Sequence, residues 1–173
     1  MKIFYALIAI LALAGCQSYS SSTAWKQARA DLEAKSGSAV TGYVTFFERS
    51  DRVLVSVKVG GLKPNSEHGF HVHEKGDCSS ADAMSAGGHF NPDAHAHGNP
   101  KQVKRHAGAM VNLIADAKGE STVSFDVDTI RVDHGKYGIL DRAVIIHSNP
   151  DDYVSQPVGN AGGRLACGLI KKI

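Results

Sequence analysis

The sequence predicts an all-β domain, a sandwich or barrel. Period-2 alternation of apolar side chains recurs in several short runs. Turn signals separate those runs, and no long helical pattern lies between them. In VLVSVKV, Val53, Val55, Val57 and Val59 fall on one face. STVSFDV (121–127), RAVIIHS (142–148) and LACGLI (165–170) read as further strands, and GFHVHE (69–74) as a strand-like run. RSDR, KPNS and AKGE supply turns. The exception is 74–104, a long stretch of Gly, Pro, Asn, Asp and His without a period. A loop of that length inside a compact domain is functional or disordered, and its histidines favour function.

The 173 residues suffice for one domain with a core, and 43% hydrophobic with 21% charged residues is ordinary for a soluble globular chain. A net charge of +2 is too small to suggest a nucleic-acid partner. The N-terminus differs. Residues 1–15 join a short positive start to the apolar run IFYALIAILALA, too short to span a bilayer as a mature helix. LAGC, Leu13 to Cys16, resembles the bacterial lipoprotein signal. That resemblance implies cleavage before Cys16, lipidation of Cys16 and a lipid-anchored place in the bacterial periplasm or cell envelope. Residues 16–37 read as a tether. Within it WKQARADLEAK (25–35) is a marginal helix or linker, with Trp25, Ala28 and Leu32 on one face, so the folded domain is expected over 38–173. Three cysteines is an odd count. Assigning Cys16 to lipid leaves Cys78 and Cys167 as a disulfide or as two buried free thiols.

Seven of the nine histidines lie between His68 and His106. Neutral imidazole is the commonest protein metal ligand, so metal is the first hypothesis and a histidine-rich surface loop the plain alternative. His71 and His73 stand two apart and share one strand face, half of a metal site. His147 ends a strongly β-forming run and is followed by Asp151 and Asp152; a nearby carboxylate favours a ligand over a structural histidine. Arg164 lies near such a site if Cys78 and Cys167 pair, and is a solvated arginine otherwise. Lys101, Lys104 and Arg105 read as solvated loop charges.

Together, GFHVHEKGDC, GGHFNP with HG.P, RHAG..VN, VIIHSNPDD and GNAGGRLACG, in this order over roughly 38–170, resemble the copper–zinc superoxide dismutases. The resemblance implies a Greek-key β-barrel or sandwich with long metal-binding loops. It implies copper ligands His71, His73, His89 and His147, with His89 bridging to zinc, and zinc ligands His97 and His106. Asp151 would link His71 and His97, Arg164 would receive the superoxide anion, and Cys78–Cys167 would be the disulfide. Monomer and homodimer both occur in the family, and the sequence does not choose between them.

One position departs. The family pattern RHxGD ends in a zinc-ligating Asp, and here it ends in Ala109. Water, His95 or, less readily, Asp93 would have to replace that donor, or zinc binds weakly. A lipoprotein that buffers copper or zinc without turnover is the rival function. Hydrolysis at a three-histidine zinc is a third, and no general base beside His106 supports it.

Overall fold

The computed structural model describes residues 26–173. The signal segment, Cys16 and Trp25 therefore lie outside the described residues.

The described chain forms ten strands and one short 3-10 turn, Met84–Ala86. Eight strands make one antiparallel sheet in the order β5-β8-β9-β1-β2-β3-β7, with β10 beside β1, and the sheet curls into a half-barrel. Strands β1 (Gln27–Ala34), β2 (Thr41–Glu48) and β3 (Val53–Gly60) follow as hairpins, and β9 (Arg164–Leu169) returns to lie beside β1. That return is the Greek-key arrangement. The remaining strands of the sheet are β5 (Phe70–His73), β7 (Ser121–Val127), β8 (Ala143–His147) and β10 (Lys171–Lys172). β4 (Glu67–His68) and β6 (Leu113–Ile114) pair separately.

Strand β3 follows its sequence pattern: Val53, Val55, Val57 and Val59 are buried, each contributing roughly 1.5–3 kcal/mol. They meet Phe46, Phe70, Met110, Leu113 and Ile146 in the main core.

The segment expected to be a marginal helix or linker is instead β1. Ala28, Ala30 and Leu32 are buried at a period of two. Ala28 and Leu32 stand four apart, a spacing that fits a helix and a strand equally, and Ala30 decides between them. β1 pairs along one side with β2, and on the other with β10 and then β9. Among the described residues the sheet thus already includes Gln27–Ala34, ahead of Ser38. Strand β2 carried no expectation of its own; Val44 and Phe46 are its buried residues.

Candidate metal centre

Alternation along β5 turns Phe70 and Val72 one way and His71 and His73 the other. All four are buried. Phe70 packs edge-on against Phe125 in the core. The histidine-rich loop returns to β5, whose second edge would otherwise be free. Glu74 N donates to Gly88 O at 3.0 Å, Phe90 N to Val72 O at 2.9 Å and Val72 N to Gly108 O at 3.0 Å. His147 ends β8, and its N–H donates to Gly69 O at 2.8 Å. The β8–β9 register slips between Ile146 and His147, which sets His147 opposite Arg164.

Six histidines form two clusters that share one member. His71, His73, His89 and His147 make the first, and His89, His97 and His106 the second. Hydrogen bonds at the outer ring nitrogens fix which atoms face inward. Asp151 accepts from His71 Nε2 at 2.7 Å and from His97 Nε2 at 2.8 Å. Gly87 O accepts from His73 Nδ1 at 3.0 Å. His71 Nδ1, His89 Nε2 and His97 Nδ1 are left buried with no protein partner. Buried polar atoms are almost always satisfied, so three orphans on converging rings point to an ion.

His89 Nδ1 lies 3.3 Å from His106 Nδ1, and His73 Nε2 lies 3.3 Å from His147 Nε2. Two nitrogens on a tetrahedral zinc stand roughly 3.3 Å apart, given Zn–N bonds of about 2.0–2.1 Å. Four imidazoles suit copper, and three suit zinc. The donor sets therefore fit both metals.

The electrostatics agree. Burial pushes the imidazolium forms down, His147 to about 3 and His106 to about 4, with His73 and His89 also held well below the usual imidazole range. Those four rings are neutral at pH 7 and offer lone pairs. Burial would raise the Asp151 carboxyl, but the bonds from His71 and His97 outweigh it and hold it well below the usual carboxylate range. Gly159, at φ 67°, sits against this carboxylate; a Cβ there would collide with Asp151 Oδ1 and His97 Nε2.

Arg164 is half-buried. Its Nη1 donates to Ala83 O and its Nη2 to Gly87 O, each at 2.6 Å. Burial lowers its pKa, but a guanidinium remains charged at neutral pH. Cys78 and Cys167 form a disulfide, with Cα atoms 5.7 Å apart. The bridge ties the loop that holds the guanidinium to the strand that carries it.

Residues 40–170 match the family model for copper/zinc superoxide dismutase. The chain belongs to that family. It is 43% identical over 137 residues to a Cu-Zn superoxide dismutase of Paramecium bursaria Chlorella virus 1, covering 76% of this chain and 72% of that one. It is 40% identical to Cu-Zn superoxide dismutase 2 of Aquifex aeolicus over 76% of this chain and 80% of the relative. The crystal structure of the clock protein EA4 superposes with a TM-score of 0.76 at 40% identity, covering 84% of this chain and 93% of that chain.

Within this superoxide dismutase fold, neither substitute proposed for the carboxylate missing at Ala109 reaches the second cluster. His95 Nδ1 donates to Arg105 O at 3.2 Å, and Asp93 pairs with Lys136 at 2.6 Å. Arg105 is not a solvated loop charge: it is buried, bonded to Asp128 and to Gln102 O. Sequence reasoning missed several supports. His68 is buried and its Nδ1 donates to His147 O at 2.8 Å. Asn112 grips the Asp151 backbone, donating to its carbonyl and accepting from its N–H, each at 3.0 Å. Its place in the VN motif was the available signal. The carbonyls of Ala83 and Gly87 carry no residue-type signal at all.

Proposed function

We propose that the chain dismutates superoxide to oxygen and hydrogen peroxide, with His71, His73, His89 and His147 holding copper. The observation that supports this best is Arg164 standing across the strand pair from His147 and sharing the Gly87 carbonyl with His73. Bound copper supplies the alternating electron acceptor and donor that dismutation needs. The protein supplies the rest. Arg164 offers a fixed charge and remaining N–H donors to a small anion. His89 Nε2, buried and free of protein partners, is placed to carry a proton toward peroxide. Asp151 fixes the tautomers of His71 and His97. Two superoxide ions and two protons yield one oxygen and one hydrogen peroxide.

His97, His106 and His89 hold zinc in this reading, less tightly than a closed site with four protein donors would. Cys16 carries lipid, and the domain works in a bacterial envelope compartment, where the disulfide persists.

Superoxide decay measured with copper-loaded protein tests the central claim. Turnover lost in Arg164→Ala and in His73→Ala supports it. Tight copper binding without turnover would convert the protein into a metal-buffering module. Fatty-acid labelling that vanishes in Cys16→Ala tests the anchor.

A further inference from the structure

The second cluster presents three nitrogen donors, and among the described residues no carboxylate or thiol joins them. Structural zinc sites close with four protein ligands. Three histidines with a further open position is the donor set of sites that keep an exchangeable ligand. The side chains weighed as replacement donors, and Asp151, are engaged elsewhere. Both carboxylate oxygens of Asp151 accept from ring N–H groups. Asp93 is held by Lys136 and by the Tyr137 hydroxyl at 3.0 Å. His95 is turned to the Arg105 carbonyl.

Ala109 stands at the critical place. It follows His106 by three residues, donates its N–H to His106 O at 3.1 Å and bridges the His71 backbone. It is 1% exposed and its side chain ends at a methyl. Ala109 also lines a cavity of about 200 Å³ with Lys101, Arg105, Asp126, Met110 and Phe125, and none of the three histidines lines it. Arg105 there is buried, and its Nε lacks a partner. A divalent ion on three neutral imidazoles would carry buried charge that no protein carboxylate neutralises directly. A small anion from solvent would neutralise it.

We propose that the second cluster is an open metal site whose fourth ligand is a small exogenous anion. The proposal rests on the reading of this cluster as a metal site. It does not require catalysis at the first.

The test uses the whole protein with Cu(I), which has no d–d bands, in the first cluster and Co(II) in the second. Azide is the probe. The visible cobalt bands should change saturably with azide. Ala109→Asp should abolish that response and slow cobalt loss to a chelator by about tenfold or more. A native spectrum that is four-coordinate and indifferent to azide overturns the proposal, as does an azide response that survives in Ala109→Asp. A spectrum altered in His95→Ala or Asp93→Ala before azide is added also overturns it, because a side chain would then be closing the site. The native, His95→Ala and Asp93→Ala arms decide even if Ala109→Asp fails to fold. None of these readouts involves superoxide, so loss of the dismutase reading and loss of this one are distinguishable.

Discussion

Arg164 and His73 share one acceptor, the carbonyl of Gly87, at 2.6 Å from Arg164 Nη2 and 3.0 Å from His73 Nδ1. The guanidinium and an inward-facing imidazole are thus registered against one peptide. A shift of that peptide moves both.

Arg164→Ala should therefore do more than remove a charge. It frees the carbonyls of Ala83 and Gly87 and loses two charge-assisted bonds, each contributing roughly 1.5–3 kcal/mol. The expected fall in superoxide decay rate is about tenfold to a hundredfold. Arg164→Lys keeps the charge without the fork and should fall between. Pulse radiolysis decides; a native rate in Arg164→Ala would remove the assigned role.

Gly159→Ala tests the link between the clusters. The new methyl would enter the space of Asp151 Oδ1 and His97 Nε2, at a backbone φ of 67°. Loss of about 1–3 kcal/mol is expected, with weaker metal binding at the second cluster. Thermal unfolding and cobalt titration measure the two effects. A variant as stable and as metal-retentive as the native chain would show that the loop gives way instead.

Replacing both Cys78 and Cys167 by Ser should cost on the order of 4 kcal/mol in the chain-entropy model, given 89 residues of separation. Activity should drop too, because the bridge fixes the loop that holds Arg164. Denaturant midpoints and decay rates report each part. Unchanged activity would mean that Lys35, donating to Cys78 O at 2.6 Å, holds the loop by itself.

The turn that leads to Gly159 depends on the Asp152 carboxylate. The Ser155 hydroxyl, then the backbone N–H groups of Ser155 and Val154, lower its pKa from 3.8 to about 2. The folded value lies below the unfolded one, so this contribution is complete above about pH 4 and disappears as pH falls through about 2. Protection of the Ser155 amide from hydrogen exchange should follow that course. Asp152→Asn should flatten it; an identical pH course in the variant would assign the effect elsewhere.

Much of the fold was legible because burial on one face imposes alternation. Val53 to Val59 could hardly form anything but a strand with one apolar side. β1 escaped because Ala28 and Leu32 satisfy two periods, and alanine is a weak apolar marker. The clusters were legible because imidazole is a distinctive donor, and the His71–His73 spacing places both rings on one face. Gly87, Ala83 and Gly159 were not, because they act through carbonyls or through missing volume. Asp93 and His95 read as candidate donors from residue type alone; their partners Lys136 and the Arg105 carbonyl come from folding the loop.

If Cys16 carries lipid as proposed, strand β1 limits how far the sheet can stand from the anchor. From Cys16 to Ser38 there are 21 intervening residues, and to Gln27 only 10. At about 3.4 Å per residue, maximum reach drops from roughly 75 Å to roughly 37 Å. On the anchored proposal, the enzyme would work in a thin layer against the lipid headgroups. It would meet radicals formed at or crossing that surface before those in the wider compartment.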